Sequence, residues 1–251
     1  MRLLALTCGW LTGDAGLFAA GATGRLRVPV PCFLIEHPQG LVLFDSGLHA
    51  EAATAPEARL GSAASLFAVE LAPHEDVGAR LAALGVAPGA VRFLVTSHLH
   101  FDHTGGHATI PNAALVVQRA EWTAARDPEL ARGLLYDPAN YDLGHEVRCV
   151  DGEHDLFGDG RVVCLPTPGH TPGHQSLRVR LASGEVVLTA DACYLRSALE
   201  AMQLPPVVHD REEMLASLRR LRALEAAGAR LYFGHDPAPW AQDPQGALEI
   251  G

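Results

Sequence analysis

Residues 97–106 read Ser97-His98-Leu99-His100-Phe101-Asp102-His103-Thr104-Gly105-Gly106 and follow directly on the apolar run 91–96. The pattern is H-x-H-x-D-H. In an extended chain, residues two apart point the same way. His98, His100 and Asp102 are therefore expected to converge, with His103 joining them where the strand gives way to a turn. Three imidazoles and a carboxylate within six residues suit zinc or another borderline divalent cation. With 13 His and 29 acidic residues in 251, composition alone predicts about 0.004 such matches, so the motif is specific. A metal-free histidine cluster is the weaker reading. Adjacent imidazoles repel on protonation and are hard to satisfy by hydrogen bonds alone.

One hairpin cannot close two metal sites by itself, so further ligands are expected from other strand ends. Pro168-Gly169-His170-Thr171-Pro172-Gly173-His174 lies between two apolar runs, in a turn stiff enough to fix an imidazole. Thr189-Ala190-Asp191 ends another run, and Phe233-Gly234-His235-Asp236 ends the last. Each places a metal-competent side chain where a strand stops. Singly, they read as a turn histidine, a capping aspartate and a chance histidine. After the H-x-H-x-D-H run they form one pattern.

The organisation around these residues is α/β. Short apolar runs bounded by Gly, Pro, Asn or Asp predict strands at 32–36, 41–45, 91–97, 114–118, 161–165, 175–181, 185–190 and 230–233. Pro38-Gln39-Gly40 and Ala182-Ser183-Gly184 read as hairpin turns. The start, Met1-Arg2-Leu3-Leu4-Ala5-Leu6, has an apolar run too short for a signal peptide and reads as a first strand. Helices are predicted at 210–227, with Asp210 as cap and Met214, Leu215, Leu218, Leu221 and Leu224 as the apolar stripe, and at 74–84 and 120–126. Residues 127–144, rich in Pro, Asp, Tyr and Gly, read as an excursion over the surface. No repeat or linker divides the chain, so a single domain over 1–251 is expected.

Composition narrows the chemistry. The net charge is −10 and no basic patch is visible, which excludes nucleic acid and anionic membrane as partners. All nineteen basic residues are Arg, so a Schiff-base lysine, a Ser-Lys dyad and a Walker lysine are excluded. No 18-residue apolar stretch exists to span a membrane. The five cysteines, Cys8, Cys32, Cys149, Cys164 and Cys193, are odd in number and scattered. A disulfide framework is not expected, and a cytoplasmic location is.

At these residues the chain resembles the metallo-β-lactamase superfamily. Within it, the chain resembles the N-acyl homoserine lactonases, carboxylic ester hydrolases that open quorum-sensing signals. The resemblance rests on Leu43-Phe44-Asp45-Ser46-Gly47, the H-x-H-x-D-H run with Phe101 inside it, the His170 turn, Asp191 followed by Tyr194, and Gly234-His235-Asp236. It implies an αββα sandwich with a dinuclear site at one edge. It further implies two divalent ions, zinc above all. His98, His100 and His170 would hold one, Asp102, His103 and His235 the other, and Asp191 would bridge them. Tyr194 would donate to the oxyanion, Asp102 would pass a proton to the leaving alkoxide, and Asp45 would orient a ligand histidine or merely form a turn.

The substrate expected is a small neutral lactone, because residues 9–23 and 198–208 flank the site and are apolar and free of Arg. Candidate walls are Trp10, Leu11 and Phe18 in an N-terminal loop, Phe101, Met202 and Leu204, with a core role as the default for each. Glyoxalase II shares the motif but carries a further substrate domain, and sixteen residues follow His235. Flavodiiron reductases have Glu where His100 stands, and the best-known lactam hydrolases have Cys where Asp191 stands. Another lactonase, an esterase, a phosphotriesterase and a non-catalytic metal-binding sensor stay open as alternatives, and so does a homodimer.

Overall fold

A computed structural model describes residues 1–242 and 246–251. The first sheet is built from β1 (Arg2–Asp14), β2 (Arg25–His37), β3 (Gly40–Phe44), β4 (Ala68–Glu70), β5 (Val91–Val95), β6 (Ala114–Gln118) and β7 (Val147–Val150). The second holds β8 (His154–Asp155), β9 (Val162–Pro166), β10 (Gln175–Leu181), β11 (Gly184–Leu188) and β12 (Arg230–Tyr232). The chain then returns to the first sheet through β13 (Ala247–Glu249). The spatial orders are β13-β1-β2-β3-β5-β6-β7, with β4 also on β1, and β12-β11-β10-β9-β8. β1, β2 and β3 pair antiparallel, whereas β3, β5, β6 and β7 run parallel.

The strands read as unbroken apolar runs because both of their faces are covered. Successive side chains leave a strand on opposite sides. Leu3, Phe33, Ile35, Val42, Phe44 and Val95 meet Val162, Cys164, Leu177, Val179, Val186 and Leu188 between the sheets. Their neighbours Leu4, Leu6, Leu34, Leu43, Leu94 and Leu115 face outward onto Val77 and Leu81 of the helix Val77–Ala83. On the far side, Val163, Leu165, Val187 and Leu231 take Met214, Leu218 and Leu221 of the helix Arg211–Ala226. The layers are αββα. Asp210 starts the last helix by accepting from the N–H groups of Glu212 and Glu213, as its cap position predicts.

Three expectations are corrected. Residues 10–14 belong to β1, so the N-terminal loop is shorter than expected. It opens with a 3₁₀ turn, Ala15–Leu17, which Asp14 caps. Residues 127–144 do more than cross the surface. They form the helices Pro128–Gly133 and Pro138–Tyr141, and Tyr136, Asn140 and Tyr141 are buried. The extended geometry expected of H-x-H-x-D-H ends early. β5 stops at Val95, and Phe101–Thr104 is a helical turn. Strand alternation therefore cannot place Asp102 beside His98 and His100.

Candidate metal centre

The helical turn divides the motif between two groups. His98, His100, His170 and Asp191 bring four ligand atoms within 4.8 Å of one another, and Asp102, His103 and His235 bring three. Asp191 stands between them. Its Oδ2 lies 3.7 Å from His98 Nε2 and 3.3 Å from His170 Nε2. Its Oδ1 lies 3.2 Å from both His103 Nε2 and His235 Nε2. Asp102 Oδ2 is 3.7 Å from the same two nitrogens. The structure thus brings together all seven residues that the sequence singles out.

The outer nitrogens of three imidazoles fix their tautomers. His100 Nε2–H donates to the Leu134 carbonyl at 2.9 Å, His103 Nδ1–H to Asp45 Oδ2 at 2.8 Å, and His235 Nδ1–H to the Pro29 carbonyl at 2.8 Å. The outer nitrogen of each ring is thus the one that donates, and in the neutral ring the lone pair of His100, His103 and His235 faces inward. His100 Nδ1 then lies 2.9 Å from His98 Nε2 and 3.1 Å from His170 Nε2. The single lone pair of His100 Nδ1 can accept fully from only one of those two nitrogens, whereas a cation among the three would satisfy all of them. His103 Nε2 and Asp191 Oδ1 are buried without a hydrogen-bond partner. These orphaned atoms, in a set of imidazoles and carboxylates, fit divalent cations of the borderline class.

Titration points the same way. Burial, helped by the neighbouring imidazoles, pushes His98 and His170 well below the ordinary histidine range, and burial lowers His100 too. These three are neutral bases, as metal ligation requires. For His103 burial is outweighed by Asp191, Asp102 and Asp45, which hold it well above its ordinary value, and His235 is raised by Asp191 in the same way. Asp191 is held well below the carboxylate range because His103 and His235 outweigh its burial. The carboxylates call for cationic charge at the centre.

Supporting residues hold these groups in place. Asp45 follows directly on β3 with a left-handed backbone, φ 58°, a conformation costing about 1–3 kcal/mol outside glycine. Its carboxylate accepts from Ser97 N–H at 2.7 Å and from His103, so it orients a histidine as well as forming a turn. His174 is no part of either group. Its Nε2 accepts from the Asp191 N–H at 3.1 Å, which fixes the backbone that carries the Asp191 carboxylate. Burial pushes His174 down to about 3, keeping that nitrogen unprotonated. Glu121, which the sequence did not flag, is wholly buried and accepts hydrogen bonds from three loops around the centre.

The centre opens onto an apolar cleft. Of the candidate walls, Leu11, Phe18 and Phe101 line it, whereas Trp10 does not, and Met202 and Leu204 pack under the helices of the second sheet. The sequence missed Leu66, Phe67, Leu135 and Val207. Leu66, Leu135 and Val207 are 45%, 51% and 74% exposed, apolar side chains left at the rim. Tyr194 also lines the cleft, edge-on to Phe18 at 6.0 Å, with its hydroxyl 3.5 Å from His170 Nδ1. Burial, reinforced by Asp191 and Asp102, raises the phenol well above its ordinary value, so it stays protonated.

Fold and centre together define a metal-dependent hydrolase. The chain belongs to the metallo-β-lactamase superfamily, whose family model matches residues 25–235. It is 37% identical over 224 residues to the N-acyl homoserine lactonase AttM of Azorhizobium caulinodans, covering 85% of this chain and 84% of that one. It is 33% identical over 215 residues to an N-acyl homoserine lactonase of Bacillus cereus, covering 84% and 82%. A solved N-acyl homoserine lactone hydrolase, holding the product N-hexanoyl-L-homoserine at its catalytic metal centre, superposes with a TM-score of 0.84. It is 28% identical, with 95% of this chain and 94% of that one covered.

Proposed function

We propose that the protein hydrolyses the ester bond of N-acyl homoserine lactones with two zinc ions. His98, His100 and His170 would hold one ion and Asp102, His103 and His235 the other, with the Asp191 carboxylate facing both groups. The observation that carries this reading is the placement of the Asp191 carboxylate, one oxygen toward each group of inward-facing imidazole nitrogens, at the floor of an apolar cleft. The relatives named above support the choice of substrate. When bound, such an ion pair supplies hydroxide at neutral pH and polarises an ester carbonyl.

The chain's own residues supply the rest. Tyr194 offers a neutral O–H to the oxyanion that develops when the carbonyl is attacked, and burial keeps that proton in place. Asp102, buried at the edge of the cleft, takes the hydroxyl proton of the tetrahedral adduct as the ring C–O bond breaks and passes it to the departing alkoxide, leaving carboxylate and alcohol. Phe18, Phe67 and Phe101 exclude water around an acyl chain. A phosphoryl group would call for an Arg or Lys clamp, and among the described residues none that lines the cleft is basic apart from histidine. The odd number and scattered spacing of the five cysteines support a reducing, cytoplasmic setting.

The test is comparative. On one metal-replete preparation, kcat/KM is measured by proton release for an N-acyl homoserine lactone, a simple γ-lactone, S-lactoylglutathione and an aryl phosphotriester. The acyl homoserine lactone is expected to lead. A higher value for either of the last two overturns the reading, and so does intact lactone recovered from a tight complex, the behaviour of a sensor.

A further inference from the structure

We propose that Glu121 is a positioning residue that sets how tightly the His98–His100–His170 group holds its ion, while leaving the Asp102–His103–His235 group untouched. The inference rests on the two-ion reading above. Glu121 sits in the first turn of the helix Arg119–Arg126 with none of its surface exposed. Its carboxylate is outside both ligand groups. It receives four hydrogen bonds. Oε1 accepts from Leu99 N–H at 3.0 Å and from the Tyr136 hydroxyl, and Oε2 accepts from the Thr171 hydroxyl at 2.8 Å and from Gly173 N–H at 2.9 Å.

The positions of those donors carry the argument. Leu99 lies between His98 and His100. Thr171 follows His170 directly. Tyr136 lies two residues beyond Leu134, whose carbonyl takes the His100 Nε2–H and fixes that ring's tautomer. One carboxylate thus ties together every loop that supplies an imidazole to the first group. The packing allows no slack. A Cβ at Gly173 would fall 2.0 Å from the Glu121 backbone nitrogen and 2.6 Å from its Cα, so the turn is pressed against the helix with no room for a side chain. The second group is held differently. His103 donates to Asp45 and His235 to Pro29.

Only a carboxylate satisfies this arrangement, because it accepts at both oxygens. In Glu121→Gln the volume is kept but one oxygen becomes an NH₂ group. The hydroxyls of Tyr136 and Thr171 can turn to accept from it, but the N–H of Leu99 or of Gly173 cannot. One histidine loop therefore loses its anchor while the helix and core persist. Outer partners of metal ligands typically affect metal affinity by about 10–100-fold.

The experiment loads wild type, Glu121→Gln and His100→Ala with zinc. It measures ions per chain, then their release to a chromogenic chelator, with melting temperature followed on each sample. Leu218→Ala, buried in the opposite helical layer, controls for general loss of stability. The expected result is that Glu121→Gln speeds one release phase about 10–100-fold, that this is the phase missing from His100→Ala, and that the other phase keeps its rate. Wild type carrying fewer than two ions overturns the two-ion reading itself. Two ions in wild type, with wild-type release from Glu121→Gln, overturns only the role of Glu121. Equal acceleration of both phases, matched by Leu218→Ala, also overturns it by making Glu121 a merely structural residue. Should Glu121→Gln fail to fold, Thr171→Val removes one of the four donors at constant volume and is expected to show the same split at smaller size.

Discussion

Tyr194 is partly buried beside His170 and His107 wholly buried between two hydroxyls, and they predict different experiments. Tyr194 faces the cleft as a neutral donor, and losing one oxyanion donor costs roughly 10²–10³ in turnover. Tyr194→Phe is therefore expected to lose about that factor in kcat/KM on the best lactone while keeping its metal content. Full activity in that variant would remove Tyr194 from the mechanism. His107 is away from the cleft, its ring nitrogens 2.7 Å from Ser46 Oγ and 2.9 Å from Thr96 Oγ1, and burial pushes it down to about 3 from 6.5. Its contribution is complete above pH 6.5. It is lost as pH falls from 6.5 toward 3, because only the unfolded chain takes up the proton in that window. At about 1.4 kcal/mol per pH unit, roughly 2 kcal/mol is gone by pH 5. Urea unfolding at pH 7.5 and pH 5 is expected to show a shallower pH dependence in His107→Gln than in wild type, and equal slopes would refute the assignment. At this scale the sequence is highly legible where chemistry is dense. His98, His100, Asp102 and His103 betray themselves by spacing, and His170, Asp191 and His235 by standing at strand ends. Glu121 is illegible, because an acid in the first turn of a helix looks like an ordinary partner of the helix dipole. Only the fold reveals three loops converging on it.

Elements were legible in proportion to how much apolar surface they bury on both faces. The runs at 91–97, 114–118 and 175–181 became β5, β6 and β10 almost unchanged, since each is covered above and below. β4, β7 and β13 escaped notice. They span three or four residues, and a short pairing on the margin of a sheet needs no distinctive pattern of its own. The extended reading of 98–102 failed for a different reason. His100 carries β-region backbone, φ −73° and ψ 157°, and then the chain turns helical at Phe101. A two-residue period holds only while the strand lasts, and the change of period at Phe101 is what assigns Asp102 and His103 to the second group. The buried tyrosines of 127–144 show the converse. Pro, Asp and Gly mark where a segment bends, and Asp127 and Asp137 do cap its two helices, but such residues do not reveal that Leu134 and Tyr136 reach back to the metal centre.

At the scale of the whole molecule, the seven candidate ligands are supplied from both halves of the sandwich. His98, His100, Asp102 and His103 follow β5 of the first sheet, whereas His170, Asp191 and His235 follow β9, β11 and β12 of the second. Two bound ions would therefore cross-link the sheets along the edge where the cleft opens. The resulting stabilisation can be bounded by mass action. A ligand that binds only the folded state contributes about 2.7 kcal/mol at a hundredfold excess over its dissociation constant, so two sites under that condition contribute roughly 5 kcal/mol. For a chain of this size each kcal/mol moves the melting temperature by about 2–4 °C. Scanning calorimetry of zinc-replete protein against the same sample stripped with chelator is expected to show a fall of about 10–20 °C, restored when zinc is returned. Part of the lost charge is replaced by protons on His103 and His235, which Asp191 already favours, so the stripped protein is expected to stay folded at room temperature. A shift of under about 2 °C, with two ions confirmed before stripping, would mean that the sandwich core between the sheets carries the edge alone and that the ions serve chemistry without tying the halves together.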